Sequence, residues 1–172
     1  YTTDVPNAAT STTLTPTLAQ NDATVAVNGA TVTSGTPSAE IPLIVGVTQI
    51  SVIVTAQDGT TKTYTVNVTR AAPSNNANLA NLAPGAGTLS PIFDSATTSY
   101  TSSVANATTS MTVTPTSAQA NATVKVNGTN VTSGAPSGPI PLAVGVTSIS
   151  VLVTAQDGTT TQTYTLNVTR DA

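Results

Sequence analysis

Apolar and polar residues alternate in short runs along this chain, and the alternation has a period of two. If Asn28-Gly29 forms a two-residue turn, Val25, Val27, Ala30 and Val32 share one face of a hairpin, and Thr24, Thr31 and Thr33 share the other. Asn-Gly suits such a turn because both of its central positions need positive φ. The arrangement recurs around Asn127-Gly128, with Val124, Val126, Thr129 and Val131 facing inward. Further on, Ile50, Val52 and Val54 alternate, and so do Tyr64, Val66 and Val68. Bringing these two faces together predicts Val54 opposite Tyr64 and Val52 opposite Val66, across an odd loop centred on Gly59, next to Asp58. The later copy predicts Val153 opposite Tyr164 and Val151 opposite Leu166, across an even loop holding Asp157-Gly158. A slip of one residue would turn every side chain to the wrong face, so loop parity and strand phase must agree.

Ile-Pro-Leu occurs at residues 41–43 and 140–142. Proline has no N–H for a ladder, so Pro42 and Pro141 mark edge strands or strand starts. No helical period appears anywhere. Short strands punctuated by Gly, Pro and Asn predict an all-β sandwich.

The chain repeats itself. ATVAVNGATVTSG (residues 23–35) returns as ATVKVNGTNVTSG (residues 122–134), with Asn28 and Asn127 99 positions apart. The same offset relates Pro16 to Pro115, Gly46 to Gly145 and Asp58 to Asp157; beyond an extra residue within Thr159–Gln162, Tyr64 corresponds to Tyr164 and Arg70 to Arg170. A unit of this length suits an immunoglobulin-like sandwich and is too long for a solenoid repeat. The expected organisation is a first repeat at 1–72, a Pro/Ser/Asn-rich linker at 73–78 and a second repeat at 79–172.

The opening GTLSPIFDSATTSYT (residues 87–101), the centre TVTPTSAQANATVKVNG (112–128) and the close VTAQDGTTTQTYTLNVTR (153–170) resemble the bacterial cadherin-like β-sandwich module. The resemblance covers nearly all of the second repeat, and the first from Tyr1 through Arg70. It implies two tandem immunoglobulin-like domains in a structural or adhesive setting, and it brings no catalytic residue.

Composition narrows the chemistry. Thr, Val and Ala dominate, charged residues make up 6% and the net charge is −3. Thr and Val fit a pleated, half-buried surface, so the chain reads as folded β rather than as a flexible tail. Its four cations, Lys62, Arg70, Lys125 and Arg170, are scattered, which excludes nucleic acid as a partner. No apolar run approaches bilayer-spanning length, so this segment is not expected to insert into a membrane. Cys and His are both absent, which removes disulfides, thiols and the commonest general base. An animal extracellular module of this size would often carry a disulfide, so an extracellular or cell-surface protein of a bacterium or archaeon is the better reading. The acids Asp4, Asp22, Glu40, Asp58, Asp94, Asp157 and Asp171 never cluster in sequence, unlike the carboxylates of cadherin calcium sites; no cofactor, metal or catalytic residue is expected. Tyr64 and Tyr164 lie on the apolar face of their strands and read as core tyrosines with bonded hydroxyls. Asn-x-Thr sequons occur at Asn67, Asn106, Asn121, Asn127, Asn130 and Asn167. In a Thr-rich chain many arise by chance, and Asn127 already has a turn to explain it.

The first repeat has no counterpart of residues 79–99, about one or two strands. An excerpt from a longer array is the simpler explanation. Strand donation between subunits is the sharper one. Counting constrains it, since each chain offers one such segment to two modules. Leu79, Leu82, Leu89, Ile92 and Phe93 are the expected anchors of a donated segment.

The expected function is that of a non-catalytic structural or adhesive module, a spacer or a surface-filament subunit. Its partners would be neighbouring modules, identical subunits or surface glycans. The competing reading is a carbohydrate-binding accessory module of a secreted hydrolase. The sequence has no Trp and only five aromatic residues to build a sugar platform, Tyr1, Phe93, Tyr64, Tyr100 and Tyr164.

Overall fold

The computed structural model describes all 172 residues, and every regular element in it is a strand. The chain divides into two units, Tyr1–Pro73 and Ser74–Ala172.

In the first unit, β1 (Thr2–Val5), β3 (Thr24–Val27), β4 (Ala30–Val32), β6 (Gly46–Thr55) and β7 (Thr61–Arg70) form a five-stranded sheet in the order β1-β7-β6-β3-β4. Two short strands, β2 (Ser11–Thr12) and β5 (Ile41–Pro42), pair separately. The core is Val25, Val27, Val32, Ile41, Leu43, Ile50, Val52 and Val68.

The second unit repeats this plan with additions. Its main sheet runs β13 (Thr129–Val131), β12 (Thr123–Val126), β15 (Gly145–Thr154), β16 (Thr161–Arg170) and β9 (Ser99–Val104). The opposing layer contains β10 (Ser110–Met111) with β14 (Ile140–Pro141), and β11 (Val113–Ser117) with β8 (Leu79–Pro84). Both Ile-Pro strands are short and lie at edges, because the ring removes the donor that a second ladder would need.

Both Asn-Gly hairpins form in the expected register. Asn28 and Gly29 have φ of 49° and 83°, and Asn127 and Gly128 have 47° and 82°. Val27 pairs with Ala30 and Val25 with Val32; Val126 pairs with Thr129 and Val124 with Val131. Ala30 and Thr129 nevertheless stay exposed beside their turns. Each turn is tied to the strand on the other side of β3 or β12 in the sheet, since Asn28 Oδ1 accepts from Ser51 N–H of β6 (3.0 Å) and Asn127 Oδ1 from Ser150 N–H of β15 (2.9 Å).

The second hairpin of each unit corrects the expected register by two residues. Val52, not Val54, lies opposite Tyr64, and Ile50 lies opposite Val66. In the second unit Val151 faces Tyr164 and Ile149 faces Leu166. The turn chemistry is the cause. Gly59 N–H donates to Ala56 O (3.0 Å), Ala56 N–H donates to Thr60 O (2.8 Å), and Asp58 Oδ1 accepts from Thr60 N–H (2.9 Å). These bonds centre the turn on Asp58, and Gly59, at φ 84°, takes the left-handed position that such a loop needs. A shift of two keeps every face in phase, so alternation alone could not separate the two registers. The odd and even loop lengths are as the phase argument requires.

The segment expected to be a linker, 73–78, is largely part of the second unit. Ser74 N–H donates to Gln156 Oε1 (3.0 Å), Ser74 O accepts from Asp157 N–H (3.1 Å), and Ala77 is buried. Small residues that look like a linker in composition serve here because they lie flat against the sheet end.

Candidate functional site

The two units are copies of one module, the second described with its opening segment, residues 74–99, and the first from Tyr1, the counterpart of Tyr100. The second shows what that segment does. β8 runs antiparallel to β11 with Leu82 opposite Pro115 and Leu79 opposite Ser117. Both leucines are essentially inaccessible. Leu79 N–H donates to the Tyr164 hydroxyl (3.0 Å), which donates to Ser95 O (2.9 Å). Further along, Phe93 stacks on Tyr100 at 5.8 Å between centroids and lies 6.4 Å from Tyr164. The Tyr100 hydroxyl donates to Asp94 O (2.6 Å). Gly87 is pressed so close to β9 that a Cβ there would stand 2.4 Å from Ser102 Oγ and 2.7 Å from Ser103 O. That Ser102 hydroxyl is buried without a hydrogen-bond partner.

Four of the five expected anchors therefore pack: Leu79 and Leu82 in the core, Leu89 and Phe93 against it. Ile92 does not. It is 88% exposed and faces away from the sandwich, so it is no anchor. It sits in an irregular loop, where the period of two carries no information about facing.

In the first unit the corresponding surface is open. Residues 14–18 match β11, and they alternate as a strand does, with Leu14, Pro16 and Leu18 half-buried and Thr15 and Thr17 exposed. One side of this stretch is held as in the second unit. Leu14 N–H donates to Ser38 Oγ (3.1 Å), Ser38 N–H to Leu14 O (2.7 Å), Gly35 N–H to Pro16 O (2.8 Å) and Leu18 N–H to Ser34 Oγ (3.0 Å). Ser137, Gly134 and Ser133 make the matching bonds to β11. The other side of residues 14–18, which would carry the β8 ladder, has no strand beside it.

A groove of about 370 Å³ follows, lined by Pro16, Leu18, Val52, Val54, Ala56 and Tyr64 among others. Val54, Tyr64 and Val66 are only partly buried, whereas Val153, Tyr164 and Leu166 are fully buried. Ala56 is exposed where Ala155 is buried. The expectation of a bonded core tyrosine thus holds for Tyr164 and fails for Tyr64, whose hydroxyl has no counterpart of Leu79 or Ser95 to meet. The Tyr64 ring instead lies 6.3 Å from Tyr1, which is 80% exposed, with Lys62 Nζ 5.2 Å above it. The mutual spacing of Ser34, Ser38 and the strand they hold gave no signal in the sequence, since serine is common in any loop of this chain.

The ionisable groups serve the framework. Hydrogen bonds from the Thr60 hydroxyl and N–H hold the Asp58 carboxyl below its ordinary value. The Thr160 hydroxyl, helped by the Thr160 and Thr159 amides, lowers Asp157 to about 2. Burial pushes the Tyr164 phenol up. Arg70 donates from Nε to Asn7 O (2.8 Å) and from a terminal nitrogen to Leu43 O (3.0 Å); Arg170 does the same to Asn106 O (2.7 Å) and Leu142 O (2.9 Å). These arginines pin loop carbonyls, a role that their scatter in sequence did not disclose. No three His, Cys, Asp or Glu side chains gather into a group that would hold a metal ion. No helix is long and apolar enough to cross a membrane.

A family model described as "Cadherin-like beta sandwich domain" matches residues 1–71 and again 76–171. A protein of Evansella cellulosilytica named "Putative membrane protein" is 40% identical over 97 residues, which cover 56% of this chain and 14% of that protein. Among solved structures, Drosophila N-cadherin EC1-3 aligns over 98% of this chain and 62% of its own, at 13% identity and a TM-score of 0.39. A chimeric titin Z1Z2 aligns over 99% and 93%, at 14% identity and 0.38. The Bacteroides ovatus SGBP-B, solved in complex with a mixed-linkage heptasaccharide, aligns over 97% and 66%, at 12% identity and 0.29. At these scores the structural likenesses add nothing to the fold already described.

Proposed function

The chain belongs to the cadherin-like β-sandwich family, and from that premise we propose that it is a non-catalytic structural or adhesive module of an extracellular bacterial assembly, either a spacer or a filament subunit. Modules of this family are typically non-catalytic and usually extracellular. The observation that carries the reading is how the reactive side chains are used. Both turn aspartates close loops, both arginines pin carbonyls, and Tyr164 bonds a core amide, so none is left poised beside a partner for acid–base or nucleophilic work. What the chain offers instead is long antiparallel ladders, ten residues a strand, repeated in series. Such ladders suit a load-bearing or spacing role.

Negative-stain electron microscopy of the native extracellular material tests this. Regular filaments repeating at the length of one or two modules support the subunit role, and discrete particles support the spacer. Turnover of a glycan or peptide by the purified chain would refute the reading.

One observation favours a carbohydrate-binding role: Tyr1 and Tyr64 form an accessible aromatic pair. Their rings are inclined by 36°, not coplanar, and the same two positions in the second unit are buried beside Phe93. Their exposure follows from the open groove. A glycan-array signal abolished by Tyr1→Ala would promote this second reading.

A further inference from the structure

We propose that Asn121 and Asn130 are acceptors for N-linked oligosaccharide, each through its own Asn-x-Thr sequon. The assignment goes beyond the structural reading above and does not depend on it.

The repeat sorts the sequons. Asn106 corresponds to Asn7, Asn127 to Asn28 and Asn167 to Asn67, and each pair occupies the same place in its own unit. The side-chain amides of Asn7 and Asn106 donate to Ala71 O (2.9 Å) and Asp171 O (3.0 Å). Asn28 and Asn127 open their turns and accept from Ser51 and Ser150. Asn67 and Asn167 stand half-buried within the sheet, opposite Gln49 and Ser148. Asn7 and Asn28 serve without a sequon, being followed by Ala-Ala and Gly-Ala. The fold therefore accounts for the asparagines at 67, 106, 127 and 167.

Asn121 and Asn130 have no asparagine counterpart. The first unit has Asp22 and Thr31 in their places, whereas Thr123 and Thr132 match Thr24 and Thr33. Both asparagines are exposed, and neither side chain makes a hydrogen bond. Asn121 lies in a turn, where its N–H donates to Gln119 Oε1 (2.7 Å) and Ala122 N–H donates to Gln119 O (3.1 Å). Asn130 is the middle residue of β13, the outermost strand of its sheet. It lies opposite Lys125, between the Val126–Thr129 and Val124–Val131 pairs. The two-residue turn makes those flanking pairs the hydrogen-bonded ones, so the Asn130 N–H and C=O point away from β12. Side chain and backbone are both open to a transferase, and the exposed Thr132 follows two residues on, on the same face. A sequon so placed is the surface acceptor that a secreted protein offers.

The donor is an oligosaccharide carried on a polyprenyl diphosphate. Asparagine Nδ2 bonds to C1 of the first sugar as the C1–O bond to the diphosphate breaks. The lipid diphosphate leaves with that electron pair, and the amide gives up one proton. The transfer needs no oxidant or reductant.

Peptide mapping of the native extracellular material tests this. Trypsin cuts after Arg70, Lys125 and Arg170, which puts Asn121 in one peptide, residues 71–125, and Asn130 in the next, residues 126–170. Mass spectrometry with fragmentation that keeps sugars on their residues should find saccharide on Asn121 and on Asn130. Asn106, Asn127 and Asn167 should be bare. In the producing organism, Thr132→Ala should leave Asn130 bare and Thr132→Ser should keep its sugar, with the melting temperature unchanged in both. A bare Asn121 or a bare Asn130 overturns its own assignment. Sugar confined to Thr and Ser, or to the other asparagines, overturns both, and sugar on Asn130 that survives Thr132→Ala overturns the sequon as its cause.

Discussion

The N–H of Leu79 donates to the hydroxyl of Tyr164, 3.0 Å away and 85 positions along the chain. That bond ties the opening strand of the second unit to the middle of its last strand, and the matching tyrosine of the first unit, Tyr64, lies beside Tyr1 instead. Much of the difference between the two modules is visible from this pair.

Tyr164→Phe removes the acceptor for a buried amide and the donor to Ser95, so it should lower the stability of the second unit by about 1–3 kcal/mol. Tyr64→Phe removes a hydroxyl without such partners and should change the first unit by no more than about 0.5 kcal/mol. Urea unfolding of both variants checks the contrast.

Leu82→Ala should cost about 2–5 kcal/mol, because Leu82 is buried in a packed core. Ile92→Ser should be neutral within about 0.5 kcal/mol, since the side chain faces solvent. Equal losses at the two positions would contradict the anchor assignment.

Gly128 and Gly87 both have positive φ, 82° and 72°, but only Gly87 lacks room for a Cβ. Gly128→Ala should cost about 1 kcal/mol from backbone strain alone. Gly87→Ala adds a clash with the Ser103 carbonyl and should cost clearly more, read as a larger fall in melting temperature.

The Asp157 carboxyl sits at about 2, below the ordinary 3.8. A lowered folded value means that the turn's contribution is full above pH 3.8 and is lost as pH falls from there through about 2. The stability gap between the native chain and Asp157→Asn, followed by urea midpoints, should be constant above that window and close within it. A gap that widens on acidification would contradict the assignment.

Amide exchange should be faster in the first unit. Val54 and Val66 are only partly covered, whereas their counterparts Val153 and Leu166 are fully buried. Protection at residues 50–54 and 64–68 is therefore expected to fall below that at 149–153 and 164–168, as measured by mass-spectrometric exchange.

Much of this architecture is legible in the order of the residues alone. Asn28-Gly29 and Asn127-Gly128 determined their hairpins outright, because a two-residue turn with positive φ at both positions leaves one register. The repeat offset and the period-two alternation determined the sandwich class, the tandem organisation and which face of each strand turns inward.

Tertiary structure decided what period two cannot express. The Val52–Tyr64 pairing differs from the expected Val54–Tyr64 pairing by two residues, and only the Asp58–Thr60 bonds choose between them. Ser74 and Ala77 joined the second unit because a sheet end was there to receive them, which no local composition reveals. Ile92 turned outward because loop geometry, not alternation, sets its direction. Alternation along one strand shows which side chains seek cover; whether cover arrives depends on a segment distant in sequence, as Leu79 is from Tyr164.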